Sequence, residues 1–201
     1  MDCEINSPMA TLLQRIQEDL QKQGIQPRTA DARAWLRSKV KDLNVSPRSL
    51  TRSERANYTD ATIVGKMYFF FYDPKTKERM TYFDKFPLVI PVEEKRDGFI
   101  GLNLHYIHPK HRIALLDKMS EAASDSNYDE NTKLKISYPY LVSAARLYES
   151  TPCVKRYLYS NIKSRFLEIK ASDWDIAVML PVESFVGAST SKVFSDSRKK
   201  F

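Results

Sequence analysis

The 201-residue chain predicts an α+β fold, a small antiparallel SH3-like β-barrel packed with N-terminal and C-terminal helices. Three features carry that expectation. Apolar residues recur at helical spacing near both ends, and short β-branched and aromatic runs fill the middle. Gly65, Gly98 and Gly101 supply bends for four or five short strands over residues 63–107. A sheet that narrow is too small for a sandwich but can curl on itself.

Ser7 as N-cap, Pro8 in the first turn and Gly24 past the end frame a first helix with Met9, Leu12, Leu13, Ile16 and Leu20 on one face. A second helix is expected over residues 29–43, with Ala32, Trp35, Leu36 and Val40 as its stripe. Residues 46–62 show neither period and read as an extended, basic connector. Residues 63–72 form a strand, the Asp73-Pro74-Lys75-Thr76-Lys77 turn reverses it, and residues 79–83 are its expected partner. Asp97-Gly98 marks a hairpin between FPLVIPVEE and FIGLNLHYI. Pro109 opens a third helix, residues 124–132 are an acidic loop, residues 140–148 a fourth helix, and Pro152 restarts a fifth that runs through Tyr157 into Ile162. Residues 166–169 are a short strand, and Ser172 caps a brief helix around Trp174 that Pro181 ends. The organisation expected is an N-terminal helical segment and basic connector over 1–62 and an SH3-like barrel with a C-terminal helical region over 63–201, forming one compact unit.

Net charge is +7, from 32 basic and 25 acidic residues, which suits an anionic partner. The excess sits on two flanks. Residues 28–55 hold eight basic against three acidic residues, residues 155–170 hold five against one, and the chain ends Arg198-Lys199-Lys200-Phe201. No apolar run is long enough to cross a bilayer and the first residues lack a secretory pattern, so cytoplasmic synthesis and no membrane partner are expected. Cys3 and Cys153 stand far apart without CxxC spacing, which fits a reducing compartment.

Five rings stand side by side in Tyr68-Phe69-Phe70-Phe71-Tyr72. They are either a base-stacking platform beside Lys66, Lys75 and Lys77 or the inside of a sheet. Alternate residues of a strand face opposite sides, and each buried ring stabilises by roughly 1.5 to 3 kcal/mol, which favours an interior under both faces. His105, His108 and His111 cross a strand end, a proline turn and a helix start, so a corner is expected rather than a zinc site. Glu168-Ile169-Lys170 has the ExK spacing of a metal-dependent nuclease but lacks an upstream carboxylate on the same sheet to share the metal. No catalytic residue, metal or cofactor is therefore expected. The basic flanks are the better candidates, because lysine and arginine interleaved with rings can hold phosphates. The candidate DNA-binding residues are Arg28, Arg33, Arg37, Lys39, Lys41, Lys155, Arg156, Lys163, Arg165, Arg198, Lys199 and Lys200. The competing reading is a solvated helix face with its rings turned inward.

The blocks VGKMYFFFYDPKTKERMTYFDKFPLVIPVEEKRDGFIGLNLHYIHPKHR and CVKRYLYSNIKSRFLEIKASDWDIAVMLPVESFVGASTSKVFSDSRKK resemble the DNA end protector family of T-even-type contractile-tailed phages, cyanophage members included. The resemblance spans residues 63–200; the first sixty carry none. It implies a non-enzymatic virion protein that binds double-stranded DNA ends without reading sequence and shields the packaged genome from host exonuclease. It further implies residence in the phage virion, and in the host cytoplasm during assembly and after injection. Other virion proteins are implied partners, and homo-oligomerisation is left open. The alternative is a structural subunit of the phage neck, tail or baseplate. The resemblance assigns no contact residues, so the candidates rest on charge alone.

Overall fold

A computed structural model describes residues 11–122 and 153–198 of the chain. Helix α1 (Leu12–Lys22) begins where Thr11 and Gln14 cap each other, Gln14 N donating to Thr11 Oγ1 at 3.2 Å and Thr11 N to Gln14 Oε1 at 2.9 Å. The cap of this helix is therefore Thr11, not Ser7 as expected. Helix α2 (Ala30–Asp42) is capped by Thr29, whose hydroxyl accepts from Ala32 N at 3.1 Å.

Where an extended connector was expected, the chain forms α3 (Pro47–Ser53), with Ser46 as N-cap and Pro47 in the first turn. A seven-residue helix that buries only Leu50 is too short to display a period. Its polar residues serve the neighbouring helix. Ser53 Oγ accepts from Leu12 N at 2.6 Å and Glu54 Oε1 from Leu13 N at 3.1 Å, so this segment satisfies orphan amides at the start of α1.

The eight strands are β1 (Tyr58–Thr59), β2 (Met67–Phe69), β3 (Phe83–Asp84), β4 (Leu88–Lys95), β5 (Gly98–Asn103), β6 (Val154–Leu158), β7 (Phe166–Ile169) and β8 (Phe185–Val186). Six form one antiparallel sheet in the order β1-β7-β2-β4-β5-β6, and β3 pairs with β8 as a separate ribbon. Two expectations are corrected here. Residues 79–83 do not return along β2: Lys77–Arg79 is a 3-10 turn, and β2 lies between β4 and β7. The helix expected after Pro152 is β6, because Tyr157 registers with Phe99 and Lys155 with Gly101 on the ladder to β5. The β4–β5 hairpin forms, with Lys95 opposite Gly98 and Arg96-Asp97 at its tip. Gly98 is required there by close approach, since a Cβ would stand 1.9 Å from the carbonyl oxygen of Tyr157.

Helix α4 (Pro109–Ala122) follows Pro109 as expected. The acidic loop and the helix expected over 140–148 lie outside the described residues. Helix α5 (Trp174–Ala177) is preceded by a 3-10 turn, Ala171–Asp173, which contains Ser172. Asp173 takes the N-cap position, but its carboxylate accepts from Gln17 Nε2 of α1 rather than from the helix. Helix α6 (Thr190–Arg198) ends the described chain, and no helix among the described residues is long and apolar enough to cross a membrane.

The sheet has a core on each face. One face, with Met67, Phe69, Leu88, Ile90 and Leu167, packs under Leu13, Ile16 and Leu20 of α1, Leu36 and Val40 of α2, Leu50 of α3 and Ile176 of α5. The other encloses Tyr68, Phe70, Tyr72, Val89, Phe99, Tyr157 and Phe166. The aromatic run is thus interior on both sides, and burial pushes the Tyr68 hydroxyl up to about 12. Phe99 of β5 and Phe166 of β7 lie 6.2 Å apart although β2 and β4 separate their strands, a distance of about 14 Å in a flat sheet. The sheet therefore curls, but its ladder stays open among the described residues, with β1 and β6 as edges, and no closed barrel forms.

A buried polar network ties the ribbon to the sheet. Asp84 Oδ1 accepts from Phe86 N at 3.0 Å and Ser184 N at 3.2 Å, while Oδ2 lies 2.7 Å from His105 Nδ1. Arg112, 1% exposed, donates to the carbonyls of Ile107, Val178 and His105 and to Glu183 Oε1 at 2.6 Å. Burial pushes the Glu183 carboxyl up, but His105 and Arg112 outweigh it and hold it below its ordinary value.

Candidate nucleic-acid interface

Residues 159–165 connect β6 to β7 across the open side of the curl. Their backbone is fixed at both ends. Tyr159 N donates to Asp97 O at 3.0 Å, Asp73 N to Asn161 O at 3.0 Å, Asn161 Nδ2 to Asp73 O at 2.8 Å, and Lys163 N to Phe71 O at 2.8 Å. Phe71 N in turn donates to Ser164 Oγ at 2.9 Å. These bonds hold the turn at 73–77 and the tip of the β4–β5 hairpin against one connection. All three carry cations: Lys75 and Lys77 on the turn, Lys95 and Arg96 at the hairpin end, and Lys163 and Arg165 on the connection, with Arg156 on the adjoining strand β6. Tyr159, on the connection, has 42% of its surface exposed, its ring 6.0 Å from that of Phe99.

The cations are partly compensated. Arg156 Nη2 lies 2.6 Å from Asp97 Oδ1 and Arg165 Nε 2.6 Å from Asp60 Oδ1, while Lys77 pairs with Asp73 at 2.9 Å and Lys95 with Glu93. The hydrogen bond from Arg156 holds the Asp97 carboxyl below its ordinary value. Lys75, Arg96 and Lys163 are exposed and have no carboxylate partner within ion-pair distance among the described residues. Lys155 Nζ sits 4.8 Å over the ring of Tyr106. Exposed cations can hold phosphates, and an exposed ring can meet a base face.

A family model described as Phage T4 terminal DNA protecting protein matches residues 11–200. The chain belongs to that family. It is a phage protein that protects DNA ends, and the resemblance read from residues 63–200 extends through α1, α2 and α3. No curated protein and no solved structure matches the chain.

The first basic flank lies in the helical layer. Arg33 donates to Asp117 of α4 through both Nη atoms, one at 2.9 Å, and is 17% exposed; its hydrogen bond to Asp117 raises its pKa against the opposing effect of burial. Arg28 donates to Ala171 O at 3.2 Å and Arg37 Nε to Arg33 O at 3.1 Å, while Lys39 is exposed. The side chains of Lys41 and Arg198, and residues Lys199 and Lys200, lie outside the described residues. Arg96 escaped a reading by charge-rich windows: the Asp-Gly signal located its turn, but only the fold shows which connection the turn touches. His105 turns inward to Asp84, whereas the rings of His108 and His111 lie 6.1 Å apart at the corner. Among the described residues no group of three or more His, Cys, Asp or Glu side chains is arranged to hold a metal. Glu168, from the ExK tripeptide, pairs with Lys66 at 2.7 Å.

Proposed function

We propose that the protein acts as a non-catalytic cap, with the 159–165 connection and the two turns pinned to it facing the terminus of duplex DNA and denying it to host exonuclease. The observation that carries this reading is the exposed Tyr159 ring on a connection to which two cation-bearing turns are hydrogen-bonded. Phosphate contacts supply affinity without reading sequence, and a ring can stack only where a base pair has no neighbour. We read residues 11–198 as one working unit, supported by β1 joining the sheet and α1–α3 sharing its core. The curled sheet is read as an opened SH3-like barrel, on the strength of ring contacts across three strand spacings.

The test is competition between linear duplex and a covalently closed circle of equal length for the purified protein near physiological salt. Linear DNA is expected to compete better, and Tyr159→Ala is expected to reduce that preference by about tenfold, one base-stacking interaction. Equal competition would overturn the cap and leave a structural role in the phage neck, tail or baseplate.

A further inference from the structure

Asn161 clasps the turn at 73–77 to the connection at two points. Its main-chain oxygen accepts from Asp73 N at 3.0 Å, and its Nδ2 donates to Asp73 O at 2.8 Å. Both main-chain groups of Asp73 are thus taken up by one residue, at a place where the next residue, Pro74, has no amide to contribute. The carboxamide is itself steadied, since Asn161 Oδ1 accepts from Ser160 Oγ at 2.9 Å. We infer, resting on the end-capping reading, that Asn161 is a positioning residue, which presents Lys75 of the turn to the phosphates of a DNA end together with Tyr159 and Lys163 of the connection.

The residue type fits that task. A carboxamide can donate to Asp73 O, whereas aspartate has the same shape without the donor and alanine lacks both. The connection has further ties along its length, which do not involve that carboxamide. Tyr159 N donates to Asp97 O at 3.0 Å, Ile162 forms a bridge with Tyr72, Lys163 N donates to Phe71 O at 2.8 Å, and Ser164 Oγ accepts from Phe71 N at 2.9 Å. Past Pro74 the turn is exposed from Lys75 to Arg79. Lys77 Nζ donates to Asp73 Oδ1 at 2.9 Å and Arg79 N to Thr76 O at 3.0 Å. A grip on Asp73 therefore reaches along the turn to Lys77.

Fixing a loop on binding costs conformational entropy, which a loop already fixed does not lose again. Lys75, two residues past Asp73, benefits most from the clasp. Lys163 benefits little, because its own amide is tied to Phe71. The two lysines carry the same charge and differ in what holds their backbone.

The experiment is a pair of double-mutant cycles on the full chain, reading affinity for a blunt open duplex and for the same duplex closed by hairpin loops. Lys75→Ala and Lys163→Ala are each expected to weaken open-duplex binding by about fivefold in the parent. With Asn161→Ala in place, the Lys75 effect is expected to shrink below about twofold while the Lys163 effect stays near fivefold. Asn161→Asp, which keeps the shape of the side chain and loses its donor, is expected to give the same pattern and guards against a packing defect in the alanine variant. A merely structural role would leave the two lysine effects equal. If the open duplex is preferred but the Lys75 effect survives both Asn161 variants, or both lysine effects shrink together, the clasp is overturned and the capping reading stands. If the parent binds open and closed duplexes alike, the capping reading falls and takes the clasp with it.

Discussion

The two basic flanks use the same residue types, yet their ion pairs differ in burial. In the helical layer Arg33 is 17% exposed and bridges α2 to α4 through Asp117. On the sheet side Arg156 and Arg165 also have carboxylate partners, but they are 58% and 56% exposed, and Asp97 and Asp60 are as open or more so. An exposed pair contributes between nothing and about 1 kcal/mol, so a phosphate can replace the carboxylate at little cost. A largely buried arginine cannot be recruited that way without opening the packing it supports. Charge counts alone rank the flanks as equals; burial separates an exchangeable cation from a structural one.

The largest expected effect breaks the sheet-side flank. In the triple variant Lys75→Glu, Arg96→Glu, Lys163→Glu, affinity for open DNA ends should fall by about a hundredfold or more at low salt. The slope of log K against log salt should become shallower by roughly 0.9 for each phosphate that no longer meets a cation. The melting temperature should hardly change, because all three side chains are exposed. Salt-titrated binding to a labelled open duplex, with a thermal melt beside it, reads both. Unchanged affinity would move the DNA-facing surface elsewhere.

A smaller effect of opposite kind is expected in the helical layer. Arg33→Ala removes two charge-assisted hydrogen bonds and should cost about 1.5 to 3 kcal/mol of stability, leaving open-end affinity within about twofold. Denaturant unfolding and the same binding assay check it. A loss of affinity without loss of stability would show that Arg33 meets DNA directly and would dissolve the contrast between the flanks.

What the sequence reveals depends on how local each element is. Helices α1, α2 and α4 and strand β7 are legible because their period, caps or prolines lie within a few residues, and the interior position of the Tyr68-Phe69-Phe70-Phe71-Tyr72 rings follows from strand alternation. Helix α3 is not legible, since one buried leucine in seven residues shows no period and Glu54 serves a partner some forty positions away. Val154–Leu158 suits a helix or a strand until β5 offers its ladder. The β3–β8 pairing joins residues about a hundred positions apart, beyond any local signal. The site divides the same way. Of the residues proposed to face DNA, Lys163 and Arg165 are nominated by charge, whereas Arg96 is nominated only through the meeting of hairpin tip and connection.

The smallest expected effect sharpens the comparison through pH. Burial pushes the Asp175 carboxyl up, Arg33 and Arg28 pull it down, Asp117 adds to the rise, and the net direction is upward; Oδ2 has no hydrogen-bond partner among the described residues. A folded-state value above the unfolded one, near 3.9 for an aspartate, means that folding favours the protonated form. That contribution is fully present below the unfolded value and is lost as pH rises through the raised one. Asp175→Asn lacks the proton and the loss, so its stability should gain on that of the parent as pH rises from the unfolded value through the raised one and then run parallel. Asp173, also pushed up by burial and by Glu54, is common to both proteins and cancels in the difference. Paired denaturant midpoints across that range measure it, and parallel curves throughout would refute it. On the sheet side the sign is reversed, because Arg156 holds Asp97 down, so lowering the pH there frees an arginine rather than relieving a buried carboxylate. End affinity should therefore be level across the window in which the Asp175 variant changes stability, and rise only where Asp97 takes up its proton.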